Sequence, residues 1–231
     1  MNDIQTATPV QQGIKPSTED NLLYIAIKYK SAMIGALIFL VCLGGGIFFW
    51  MQRQQTSELE SALQLARITP FLDRGEYKTA INGEGKIAGL KKIADTYAGK
   101  YAGTPSGNMA SLLLANAYYS SNELDTALKV FKTVSIKNDD LAAAALAGAG
   151  DCYVGKNQFV SAAESYQEAS KQAETTVLKA LYLTHAANCF RQINQLKTAK
   201  ELYTKIVADY PGTTGAAAAQ RSLWQISGNL Y

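Results

Sequence analysis

Three polar residues recur at one place in a repeating unit: Asn116, Asp151 and Asn188. Each directly follows a small residue, Ala115, Gly150 or Ala187. An amide both donates and accepts hydrogen bonds, and a carboxylate accepts them. On one surface such groups can hold an extended peptide backbone without demanding one side-chain sequence. His185 and Arg191 fall on nearby turns of the third unit and complete a candidate protein-binding groove. Asp151 and Arg191 carry opposite charges that could orient a bound segment. The plainer reading, solvated polar residues on an exposed face, stands beside this one.

Other chemistry finds little support. A single histidine, His185, excludes a histidine-rich metal site. The three cysteines, Cys42, Cys152 and Cys189, form no CxxC pair and no disulfide-dense pattern. Cys152 and Cys189 hold equivalent places in two units and read as small buried fillers with free thiols. The segment Asn82-Gly83-Glu84-Gly85-Lys86 invites a phosphate-loop reading. It lacks both the GxxxxGK[ST] spacing and a preceding strand, so it reads as a structural loop. No paired carboxylates and no nucleophile–base arrangement emerge. The chain is therefore expected not to be an enzyme, and to use no cofactor, metal or small-molecule substrate. A net charge of +3 also argues against a nucleic-acid partner.

The groove residues must be positioned by helices, and the spacing shows which. Ala127, Ala162 and Ala199 lie 35 and 37 residues apart. Four residues after each stands an aromatic: Phe131, Tyr166 and Tyr203. Nine residues before each stands another: Tyr118, Tyr153 and Phe190. Three residues before those stand Ala115, Gly150 and Ala187. The period is close to the roughly 34 residues of a tetratricopeptide repeat (TPR), a helical hairpin. The small residues fit where two antiparallel helices cross most closely, and the aromatics fill the space beside the crossing. Short polar turns join the helices: Ser120–Glu123, Gly155–Gln158 and Gln192–Gln195. First helices line the concave face of such a stack, so Asn116, Asp151 and Asn188 should form a polar ladder there. Some TPR proteins clamp a terminal carboxylate with asparagines and basic residues. Here Asp151 would repel a carboxylate, and the partner lysines are not evident.

Ahead of the repeats the chain changes character. Residues 1–18 read as a disordered tail, rich in Gln and Thr. Ser17 and Asp20 have a capping-box spacing that would start a helix. Residues 19–53 form a juxtamembrane and transmembrane segment. No charge occurs from Ser31 to Gln52, and Ala32 to Trp50 is about long enough to cross a hydrocarbon core. Tyr29 and Trp50 stand near its ends, where amphipathic rings favour the interface. A cleaved signal peptide would have a shorter apolar core and a small-x-small site. Lysines ahead of the run favour a cytoplasmic N-terminus. Gly44, Gly45 and Gly46 form a surface that a second membrane helix could approach closely, although glycine is also simply tolerated in lipid. Residues 54–107 read as a helical linker, stopped or bent at Pro70, and an irregular first repeat whose second helix would be Gly89–Tyr101. Residues 108–231 hold three TPR-like repeats, with Pro211-Gly212 ending the third unit and a capping helix over Ala216–Trp224.

The stretch EYKTAINGEGKIAGLKKIADTYAGKYAGTPSGNMASLLLANAYY, Glu76 to Tyr119, carries a more specific signal. With the polar tail, single anchor and repeats, it resembles the bacterial family of the ancillary SecYEG translocon subunit, grouped with a cell-division coordinator. The resemblance implies an inner-membrane protein, single-pass, with its N-terminus cytoplasmic and its repeats in the periplasm. It implies translocon subunits or periplasmic chaperones as protein partners, with the lipid bilayer met through Ala32–Trp50. The expectation is an all-α chain: a single transmembrane helix followed by a TPR-type helical-hairpin solenoid, acting as a scaffold for protein–protein interactions. The alternative is a structural assembly factor of a cell-envelope or cell-division complex.

Overall fold

The computed structural model describes residues 28–95, 100–101 and 103–228. The expected tail over 1–18 and the helix start at Ser17 and Asp20 lie outside them. The chain divides into two compact units, Met1–Arg53 and Gln54–Tyr231. Helix α1, Lys30–Asp73, contributes its first part to one unit and its last part to the other.

In the first unit α1 is apolar on every side. Leu37, Phe39, Leu40, Val41, Phe48, Phe49 and Trp50 are all more than half exposed. A helix that is hydrophobic all round normally sits in a core or a bilayer. Among the described residues α1 is the one helix long and apolar enough to cross a membrane.

The second unit begins with the last turns of α1. The expected stop at Pro70 is corrected here: the helix runs through Pro70 to Asp73. The Thr69 hydroxyl bonds the Leu65 carbonyl one turn back, at 2.8 Å. Termination falls instead to Gly75, at φ 74°. Gly75 N–H donates to Leu72 O and Glu76 N–H to Phe71 O, the bond pair of a glycine-closed helix end.

Short pieces follow: α2 (Tyr77–Asn82), strands β1 (Gly83–Glu84) and β2 (Ile87–Ala88), and α3 (Leu90–Ile93). The strands pair antiparallel, Gly83 with Ala88 and Glu84 with Ile87. Gly85, at φ 56°, takes the first turn position, as a two-residue hairpin of this kind requires. The expected second helix over Gly89–Tyr101 is thus a single turn, Leu90–Ile93, within the described residues. Gly89 cannot carry a side chain there, since a Cβ would fall 2.5 Å from the Ile81 carbonyl oxygen. Leu90 and Ile93 are fully buried and complete a core with Ile68 of α1.

Three hairpins follow: α4 (Pro105–Ser120) with α5 (Leu124–Thr133), α6 (Asp139–Gly155) with α7 (Phe159–Gln172), and α8 (Thr176–Gln192) with α9 (Leu196–Asp209). Helix α10 (Thr214–Gly228) packs on α8 and α9. Caps set the starts. Thr104 accepts from Gly107 N–H, Asn138 from Leu141 N–H, and Thr213 from Ala216 N–H. The first helices are apolar around most of their circumference because they are covered on two sides. In α6, Ala145 and Ala149 face the first core, while Ala143 and Ala147 face the second. The second helices bury one side only: Ala127 and Phe131, then Ala162 and Tyr166, then Ala199 and Tyr203, none more than 4% exposed.

The three hairpin turns are the same turn. Asn122, Asn157 and Asn194 have φ values of 60°, 57° and 60°. In each, the asparagine N–H and the next N–H bond back to Tyr119 and Tyr118, Val154 and Tyr153, or Arg191 and Phe190. Asparagine tolerates this left-handed conformation; alanine pays about 1–2 kcal/mol for it. Asn157→Ala should therefore lower stability by about that amount and Asn157→Gly should not, as read by urea unfolding. Equal midpoints for the two variants would contradict the shared turn.

Candidate protein-binding groove

The first helices α4, α6 and α8, with Tyr166 of α7, line an open cavity of about 300 Å³. Its walls include Leu112 and Asn116, Gly148 and Asp151, and Tyr182 and His185. Asn116, Asp151 and His185, from three successive units, thus meet at one place. Asn116 is exposed, whereas Asp151 and His185 are half-buried. Asn188 lies one turn beyond His185, and its carboxamide oxygen accepts a 2.6 Å bond from the Tyr203 hydroxyl. Arg191 is exposed in the last turn of α8. Neither residue lines the cavity.

The hydrogen bonds reveal a rule within the repeat. Each polar ladder residue stands 15 positions before the aromatic of its own second helix. Tyr166 donates its phenol proton to Asp151 Oδ1, as Tyr203 does to Asn188. The first unit has Phe131 there, which has no hydroxyl to donate, so Asn116 lacks this bond. Two of the three ladder groups thus lock first helix to second, and the free-ladder expectation narrows to Asn116 and what remains of Asp151. The signal was present in the sequence as Tyr against Phe at one repeat position.

Burial and the Asp151 carboxylate hold the Tyr166 phenol far above its ordinary pKa. Desolvation first, and the same carboxylate second, also raise Tyr119. His185 stacks on Tyr166 with ring centroids 5.1 Å apart. Tyr182, buried and unmarked by the repeat spacing, supplies another aromatic wall. Gly150 makes room for the arrangement: a Cβ there would lie 2.9 Å from the Tyr166 ring.

Cys152 and Cys189 are free and buried behind these walls. Desolvation pushes each thiol up to about 11, which leaves it a neutral filler at physiological pH. In the first unit, Gly44, Gly45 and Gly46 sit mid-helix in α1, and a Cβ on any of them would meet nothing within 4 Å. The Asn82–Lys86 segment holds the end of α2 and the first strand and turn of the β-hairpin described above, which the bond from Ala88 N–H to the Gln64 side chain ties to α1.

Comparison with known proteins yields one family match. Residues 182–213, spanning the end of α8, all of α9 and the bend after it, match the tetratricopeptide repeat. No curated protein and no solved structure matches the chain. The matched residues are the third hairpin, whose spacing and turn geometry recur in the two hairpins before it. The chain is thus a TPR-containing, mainly helical protein, and such repeats are typically non-catalytic modules that bind other proteins.

Proposed function

We propose that this chain is a membrane-anchored scaffold that binds other proteins through the α4–α6–α8 groove, at the outer face of a bacterial inner membrane. The observation that carries the binding role is the convergence of Asn116, Asp151 and His185 on one cavity walled by the first helices. Concave surfaces of stacked repeats are their usual binding faces. The anchoring role is supported by α1, apolar and exposed on every side from Ile34 to Met51. The stretch Glu76–Tyr119, with its resemblance to the ancillary translocon subunit, supports translocon subunits or periplasmic chaperones as partners. It also supports a periplasmic repeat domain.

Site-specific photo-crosslinking in intact cells tests this. A photoreactive residue replacing Leu181, in the cavity wall, should join the chain to a translocon subunit or a periplasmic chaperone. The same residue at Val160, exposed on α7 and outside the cavity lining, should not. Equal products from both positions, or products from Gly45 alone, would remove the groove from the proposal. External protease on spheroplasts should digest the repeats; their full protection would reverse the orientation.

A further inference from the structure

We propose that the cavity receives one basic side chain, arginine or lysine, presented by an extended segment of the partner protein. This rests on the groove being the protein-binding face. The carboxylates of Glu60, Glu76, Asp125 and Glu168 each pair with a cation, Lys100, Arg74, Lys156 and Lys171, while the half-buried Glu58 and Asp140 are each held by two or more neutral donors. Asp151 is half-buried, and no cation among the described residues pairs with it. Among the described residues its one side-chain donor is the Tyr166 phenol, on Oδ1.

A half-buried carboxylate with no counter-charge beside it attracts an incoming cation more strongly than a fully solvated one does. The surrounding walls suit the same guest. Tyr166, Tyr182 and His185 supply rings, which favour weakly hydrated cations such as guanidinium. Leu112 and Leu181 supply apolar contact for the methylene stem of a long basic side chain. Asn116, exposed at the edge and without a phenol partner, can bond the backbone that carries it. A volume of about 300 Å³ is at the small end for a ligand pocket, which fits one side chain. After desolvation, negative charge at this position also raises the Tyr119, Tyr166 and Tyr182 phenols and both buried thiols.

The test uses the full chain in lipid nanodiscs and fluorescent eight-residue peptides with blocked ends. The peptides share Ser, Ala and Asn flanks and differ at one central residue: Arg, Lys, citrulline or Glu. Citrulline keeps the shape of arginine and removes its charge. Anisotropy should show the Arg and Lys peptides bound at least about tenfold more tightly than the citrulline and Glu peptides. Asp151→Asn should remove that preference, and Tyr166→Phe should keep it. The comparison of Arg with citrulline needs no variant, so it stands even if Asp151→Asn misfolds. Equal binding of Arg and citrulline peptides would overturn the basic-side-chain reading and leave the scaffold intact. Failure of the whole panel to bind, with the Leu181 crosslinks still present, would do the same. Loss of those crosslinks as well would instead remove the groove-binding scaffold itself.

Discussion

Gly215→Val is expected to lower the stability of the second unit by about 3 kcal/mol or more, and to do so from its C-terminal end. Gly215 is the second residue of α10, where that helix lies against the backbone of α8. A Cβ at this position would fall 2.6 Å from the Ala180 carbonyl carbon and 2.9 Å from the Ala180 Cβ. Overpacking a core usually costs about 1–3 kcal/mol because side chains can yield. Here the obstacle is helix backbone, which cannot rotate away. The Thr184 hydroxyl also reaches the Gly215 carbonyl, at 3.2 Å, and that buried bond lengthens if α10 is pushed out. Ala216, Ala219 and Ile226 would leave the core they share with Tyr203 and Ile206. For a chain of this size the midpoint of thermal unfolding should fall by about 6–12 °C. Hydrogen exchange should quicken first in α9 and α10. Gly212→Ala makes the control, since φ there is 79° but an added Cβ meets nothing. It should cost about 1–2 kcal/mol, the strain alone. An unchanged melting temperature for Gly215→Val would mean that α10 does not close the repeat stack.

The repeat hairpins were legible in the sequence because their constraint is rigid. Two helices that cross at Ala162 admit no larger residue, and the same crossing recurs at Ala127 and Ala199, all three fully buried. Spacing therefore records geometry directly. The stretch before the repeats was less legible. Pro70 reads as a stop or a bend; the helix does not stop there, and the terminator is a glycine five residues on. Asn82 to Lys86 reads as a loop, and a two-residue strand pair leaves too little alternation to recognise. The groove lay between these cases. Asn116 and Asp151 follow from the register, because equivalent positions on adjacent helices face one way; their equivalent in the third unit, Asn188, falls outside the cavity, and His185, one turn earlier, lines it instead. That Asp151 and Asn188 each hold a tyrosine hydroxyl depends on a residue 15 positions away on another helix. Only the folded hairpin makes them neighbours. Tyr182 was hidden for a similar reason: it belongs to no repeated position, and it fills space specific to the joint between the second and third units.

The full chain should resist extraction from membranes by alkaline carbonate, and Leu40→Arg with Leu43→Arg should release it. The apolar run from Ala32 to Trp50 contains 19 residues, which as a helix rises about 29 Å. That is close to the roughly 30 Å of a hydrocarbon core. As part of the continuous helix Lys30–Asp73 its backbone groups pair along the helix, so lipid need not satisfy them. Each arginine near the middle of such a helix opposes insertion by about 2.5–3.5 kcal/mol, and the two together by about 5–7 kcal/mol. Leu40 and Leu43 lie near the centre, too far from either interface for their replacements to reach water easily. The double variant should consequently appear in the soluble fraction or be degraded. Gly44→Leu with Gly46→Leu should stay in the membrane, since those changes add apolar surface. Loss of partner crosslinks in this glycine variant would identify α1, not the groove, as the recognising element. A processed signal peptide would behave differently at the first step. Mass spectrometry of the purified protein would then show a chain lacking the apolar run, and carbonate would release it without any substitution. Recovery of the intact run in the carbonate-resistant pellet is the result expected of an anchor.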